Sequence, residues 1–335
     1  MKEFIIGKND AGQRLDRFIG KVVPLLPGSL AQKYIRLKRF KIGGKRANRD
    51  YVLVQGDVVQ MYINDEYFDE VVDEVVNDKN AHLHIKEPKL DVLYEDENIL
   101  LLNKAVGILC HSDRRIDLDS LIQHTKAYLY QKGEWYPEDE NSFSPALCNR
   151  IDRNTSGIVI VAKNAQALRI LNEKIRLREI DKYYVAIVMG KPEPPAGRLE
   201  GYLEKDAASN MVHIQNQSKL QNPISATAKA AILEYRTLAE GEEHSLLECL
   251  LITGRTHQIR AQLADMGTAI LGDSKYGNKS MNKQYGEKHQ ALCSFKLVFS
   301  FKSDAGILQY LDKKEFVCEK VPFVDKYYPE YSLLD

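Results

Sequence analysis

No run of apolar residues in this 335-residue chain approaches the ~20 that a membrane-spanning helix needs. The first residues, Met-Lys-Glu-Phe-Ile-Ile-Gly, lack the long apolar stretch of a secretory leader. Cysteine is scarce. Five are scattered at 110, 148, 249, 293 and 318 with no Cys-x-x-Cys pair, which argues against a disulfide framework or a zinc knuckle. Such thiols suit burial in a reducing compartment, so the expected localisation is cytoplasmic. No Gly-x-Gly-x-x-Gly or P-loop occurs, leaving nucleotide-cofactor folds without support. An excess of either charge is also missing, with 47 Lys+Arg against 47 Asp+Glu. That neutrality counts against a nucleic-acid binder until the charges are placed along the chain.

Their placement is uneven. Residues 1–64 carry 13 Lys/Arg against 5 Asp/Glu, whereas residues 65–78 carry seven acids and no Lys or Arg. The length suits two domains. We therefore expect a basic N-terminal domain (1–64), an acidic linker (65–89) and a larger domain (90–335). In the first, Leu15, Phe18 and Ile19 stand at helical spacing. A second helix is expected from Ser29 as N-cap, carrying Tyr34, Ile35 and Leu37. Lys41-Ile-Gly-Gly-Lys-Arg reads as a tight hairpin, with strands at Tyr51–Val54 and Val58–Ile63. Lys33, Arg36, Lys38, Arg39, Lys41, Lys45 and Arg46 crowd the helix and hairpin. A charge cluster of this kind is often only a solvated face. Residues 65–89 read as an extended linker of no single conformation.

In the larger domain, residues 92–104 suggest two strands around an acidic turn, and 165–178 a helix with Leu168, Leu171 and Ile175 on one face. Further strands are expected at Tyr183–Val188, Ala226–Glu234, Leu246–Ile252 and near Phe295–Phe301, with a helix around Thr256–Met266. Strands with interspersed helices but no strict βαβ repeat indicate an α+β fold with a mixed sheet. No coiled-coil heptads appear, so a monomer is expected.

The most informative stretch is Leu147–Asn164, where Asp152 stands between Arg150 and Arg153 in a polar turn leading into Ile158–Ala162. Flanking cations favour an ionised carboxylate and could hold a polyanion against it. Taken alone, this reads first as a surface turn with salt bridges.

Three longer patterns carry the reading further. The sequence Asn149-Arg-Ile-Asp-Arg-Asn-Thr-Ser-Gly157 resembles His-Arg-Leu-Asp-x-x-Thr-Ser-Gly of the RluA family of pseudouridine synthases. Lys182-Tyr-Tyr-Val-Ala-Ile-Val-Met-Gly190 resembles its Lys-x-Tyr-x-Ala-x-Val-x-Gly. Thr253–Leu263, followed by Gly272-Asp-Ser-Lys-Tyr-Gly277, resembles its third motif, and Asn103-Lys104-Ala-Val-Gly its Asn-Lys-Pro-x-Gly segment. The resemblance spans residues 90–300 in the family's order. Separately, Arg14-Leu-Asp, the basic second helix and Ile42-Gly-Gly-Lys-Arg are similar to the α-L RNA-binding module, which lays a basic helix and hairpin on structured RNA.

The resemblance implies the pseudouridine synthase fold, with a mixed, mainly antiparallel sheet. It also implies isomerisation of uridine in structured RNA, first of all large-subunit ribosomal RNA. It makes Asp152 the nucleophile, Tyr184 the residue on the flipped base, and Arg255 the arginine that pairs with Asp152. Arg150 would fill the space the base vacates, while Arg260 and Lys104 would contact RNA phosphate or act as structural partners. Neither cofactor nor metal is implied. His257 and Gln258 are expected to hold structure by hydrogen bonding. Asn149 stands where the family has histidine; it can donate and accept, but cannot be protonated at neutral pH. Other readings are a non-catalytic RNA-binding or ribosome-assembly factor, a transfer RNA pseudouridine synthase, and a base-releasing glycosidase. A glycosidase would pair its carboxylate with a second acid; none lies within ten residues C-terminal to Asp152.

Overall fold

A computed structural model describes residues 1–68, 81–111, 119–206, 211–215 and 227–334. The N-terminal unit comprises β1 (Lys2–Ile5), α1 (Leu15–Val22), α2 (Gly28–Arg36), β2 (Phe40–Ile42), β3 (Lys45–Arg46) and β4 (Val58–Met61). Its antiparallel sheet runs β1-β4-β2-β3. Leu15, Phe18 and Ile19 of α1 meet Ile35, Phe40 and Met61 in a closed core. Gly43 and Gly44, both at positive φ, make the two-residue turn between β2 and β3 that side-chain-bearing residues adopt only with strain. Two expectations shift. Helix α2 begins one residue before Ser29, so Leu37 falls past its end and is exposed. Residues 51–54 form no strand, only an isolated bridge between Val52 and Arg14.

The larger unit is built on β5 (Val92–Glu95), β6 (Ile99–Lys104), α3 (Leu121–Gln131), β7 (Ala146–Leu147), β8 (Ser156–Ala162), α4 (Ala165–Arg176) and β9 (Ile180–Met189). It continues through β10 (Ala196–Asp206), β11 (Met211–Gln215), β12 (Lys229–Glu240), β13 (His244–Leu251), α5 (Gln258–Asp265) and α6 (Lys279–Tyr285). It closes with β14 (Leu292–Phe299), β15 (Glu315–Val317) and α7 (Pro322–Tyr327). The strands form one sheet of eleven, in the order β11-β10-β12-β13-β9-β14-β8-β6-β5, with β15 on β14 and β7 on β8. Among the described residues, every pairing in this sheet is antiparallel except β8 with β14 at the centre.

Alternation sorts the side chains onto two faces. Leu100, Leu102, Val159, Val161, Tyr184 and Cys249 point to one face with Ile259 and Leu263 of α5. Ile99, Leu101, Ile158 and Ile160 point to the other, with Ala167 and Leu171 of α4. Both faces are covered, which explains why β6 and β8 read as unbroken apolar runs. Asn164 caps α4, its side chain accepting from the Ala167 amide.

Of the expected linker, residues 69–80 lie outside the described residues. Within the rest, Asp65–Tyr67 and Ala81–His84 are single 3₁₀ turns rather than extended chain. Buried His82 packs on Tyr130 and Trp135, and Gln131 donates to Ile85 O. Apolar and aromatic side chains at 81–85 thus give that stretch a surface to bury, so it belongs to the larger unit.

Candidate active site

Asp152 sits in the turn between β7 and β8, just before the parallel pairing of β8 with β14. Ile151 anchors the turn in the core, and the Thr155 amide closes it onto Asp152 O at 3.1 Å. Thr155 is buried and its hydroxyl accepts from Gln290. Asn149 clips the turn's other end to β8: Ile160 N donates to Oδ1 at 2.8 Å, and Nδ2 donates to Ile158 O at 3.3 Å. Asparagine at the family's histidine position therefore completes a ladder that side chain and strand share. Gly157 then lies so close to β14 that a Cβ would stand 2.2 Å from Ser294 O, at φ +108. Only glycine fits there.

Lys104 holds the loop from beneath. Its ammonium donates to Ala105 O, Ile108 O and Arg153 O at 2.8–3.0 Å, and its side chain is 1% exposed. Burial, only partly offset by nearby negative groups including Asp152, pushes its pKa down to about 8. A cation enclosed by three carbonyls is closed to RNA phosphate, so Lys104 is a structural partner.

The arginine on Asp152 is Arg260, not Arg255. Arg260 Nη1 donates to Asp152 Oδ2 at 2.7 Å, while Nε and Nη2 form a bidentate pair with Asp273 at 2.7 and 2.8 Å. Arg255 is exposed at the surface and donates to Ala230 O. The physical reason is helix phase. His257 takes a left-handed conformation at φ 53 and starts α5, which turns Arg260 inward and leaves Arg255 on the preceding loop. Arg260 is only 5% exposed, which also closes it to RNA phosphate. Burial opposes its charge, but Asp273 and then Asp152 outweigh that and raise its pKa above the ordinary value. Burial would likewise raise the Asp273 carboxyl, yet Arg260 and the amides of Tyr276 and Lys275 hold it below its usual range. Asp273 is fully buried. It was legible only as part of a motif, with no role attached.

Tyr184, on β9, is 5% exposed and packs in the same core as Ile151, the neighbour of Asp152. Burial raises its phenol pKa, partly countered by a hydrogen bond with Ser294, so the resting side chain is neutral. His257 is nearer the site than a purely structural role suggests: its Nε2 lies 3.9 Å from Asp152 Oδ2, and Nδ1 meets the Tyr276 hydroxyl at 3.1 Å. Desolvation, set against the pull of Asp152, lowers its pKa. Gln258 is structural, accepting from Thr253 and the Arg255 amide and donating to Ile232 O. Arg150 is exposed beside Asp152, and Lys33, Arg36, Lys38, Arg39, Lys45 and Arg46 are all exposed on the N-terminal unit. Among the described residues, no group of three or more His, Cys, Asp or Glu side chains is placed to hold a metal ion.

The arrangement is one carboxylate with a single oxygen engaged. Among the described residues no hydrogen bond reaches Asp152 Oδ1, so the carboxylate is oriented through Oδ2 and open at the other oxygen. A carboxylate so held has an arrangement suited to nucleophilic attack.

Residues 98–265 match the RNA pseudouridylate synthase family. An uncharacterized RNA pseudouridine synthase of Mycoplasma capricolum is 33% identical over 319 residues, covering 95% of this chain and 97% of its relative. The ribosomal large subunit pseudouridine synthase C of Vibrio cholerae is 30% identical, over 82% of this chain and 80% of its own. Among solved structures, human RNA pseudouridylate synthase domain containing 4 is similar in fold, with a TM-score of 0.54 and 22% identity over 69% of this chain and 88% of its own. The chain belongs to the RNA pseudouridine synthases. It is an isomerase that acts on RNA, as the motifs implied.

Proposed function

We propose that Asp152 is the nucleophile with which this enzyme isomerises uridine in large-subunit ribosomal RNA, and that residues 1–64 bind the same RNA. The observation that carries the first part is the Arg260 bridge, which fixes Asp152 Oδ2 and leaves Oδ1 to attack. At the anomeric carbon, Oδ1 forms a C1′–O bond as the C1′–N1 bond breaks, and the electron pair leaves with the uracil. The uracil turns, C5 bonds to C1′, and the carboxylate is released. The C5 proton is lost and N1 is protonated, so atoms and charge balance with no oxidant or reductant. Attack on the ring instead would use the same oxygen. The target must leave the RNA stack to reach Asp152, and Arg150, exposed two residues before it, would fill the gap. Tyr184, neutral and buried, forms the floor on which the uracil packs. The name of the Vibrio cholerae relative supports the ribosomal substrate.

The test is a pair of measurements on Asp152→Asn with transcribed large-subunit RNA. Isomerisation is expected to vanish while the dissociation constant stays within about twofold of wild type. Retained isomerisation overturns the assignment.

A further inference from the structure

The N-terminal unit is joined to the larger one through half-buried polar contacts around a buried carboxylate. Asp10, 1% exposed, accepts from Asn141 Nδ2 at 2.7 Å and Ser142 Oγ at 2.6 Å, besides closing its own turn with the Gly7 amide. Gln13 donates to the Ser142 hydroxyl, and Asn141 also donates to Ile5 O. Asn9 accepts from the Ala165 amide at 3.0 Å. A buried acceptor stripped of its donors carries a full desolvation penalty, so this seat specifies one docked geometry rather than a general stickiness.

Its position makes the seat a spacer. On the N-terminal unit, the docking loop follows β1, whereas the β2–β3 hairpin with Lys45 and Arg46 is the opposite edge of the sheet. On the larger unit, Ala165 follows the C-terminal end of β8 and Asp152 precedes its N-terminal end. Seven strand residues separate the two, roughly 20–25 Å. The basic hairpin and Asp152 thus each lie away from the seat, one on either unit.

We propose that Asp10, Asn141 and Ser142 are specificity-determining residues: the seat they form fixes the distance from RNA held on the basic edge to the uridine admitted at Asp152, and so selects which uridine is modified. This rests on the functional reading above. A unit attached by the chain alone would keep affinity but lose register.

The test uses full-length Asp10→Ala and, because Asp10 also closes its own turn, Asn141→Ala/Ser142→Ala. Small-angle scattering reads docking. Carbodiimide mapping reads modification on a large-subunit RNA transcript and on a short hairpin carrying only the uridine that wild type modifies. Both variants should show a larger radius of gyration. The ratio of on-site to off-site modification on the transcript should fall roughly tenfold or more, with hairpin modification within twofold of wild type. Release of the unit with selectivity unchanged overturns the proposal, as does an unchanged radius of gyration in both variants. A wild-type protein that forms no pseudouridine at all would instead sink the functional reading.

Discussion

At the scale of single residues, Arg260 and Lys104 decide how Asp152 is held, and they do so differently. Arg260 is one cation between two carboxylates, one of them fully buried. Removing it strands Asp273 without a counter-charge, so Arg260→Ala should cost about 3–5 kcal/mol of stability and abolish turnover. Arg255→Ala, at an exposed site, should change stability by less than ~0.5 kcal/mol; urea titration and single-turnover assays separate the two. Lys104 is enclosed by carbonyls rather than by acids. Its pKa is about 8, against ~10.4 for a solvated lysine. Below pH 8 both folded and unfolded chains carry the charge and the burial penalty is complete. Between pH 8 and 10 the folded chain sheds its proton first, so stability rises with pH. Wild type should therefore gain stability over that window relative to Lys104→Met; parallel pH profiles would contradict the assignment.

At the scale of elements, the approach of β8 to β14 sets where the Asp152 turn ends. A methyl at Gly157 would press on Ser294 O, and φ +108 adds strain. Gly157→Ala should lower stability by roughly 3 kcal/mol. Gly254→Ala, with open space around its would-be Cβ, should be close to neutral, as judged by denaturation midpoints. What the sequence could reveal follows the same local logic. Strands β6 and β8 were legible as apolar runs because both sheet faces are covered, and α4 because Leu168, Leu171 and Ile175 recur on one face. The hairpin β10–β11 was not. Its strand β10 carries Arg198, Glu200 and Glu204, and the partners that fix it, β12 above all, are distant in the chain. In the site, Asp152 and Tyr184 could be found from motif position. The choice between Arg255 and Arg260 could not, because it depends on the left-handed turn at His257 and the phase of α5. Asp273 escaped for a related reason: an acid is recognised as a buried partner only once the arginine facing it is known.

At the scale of the whole molecule, a chain of zero net charge carries its cationic excess in its N-terminal unit. Neutralising Lys33, Arg36, Lys38 and Arg39 together should weaken RNA binding and lower the slope of log affinity against log salt by roughly 0.7–0.9 for each phosphate that is no longer neutralised. An unchanged slope would remove the N-terminal unit from the RNA interface. The central claim, that the carboxylate of Asp152 moves uracil from nitrogen to carbon on ribosomal RNA, has a more direct test. Pseudouridine is mapped by carbodiimide in large-subunit RNA from cells lacking this chain, then from the same cells supplied with wild type or Asp152→Asn. At least one site should disappear on deletion, return with wild type and stay absent with the variant. Sites that never change, or that return with Asp152→Asn, would contradict that claim.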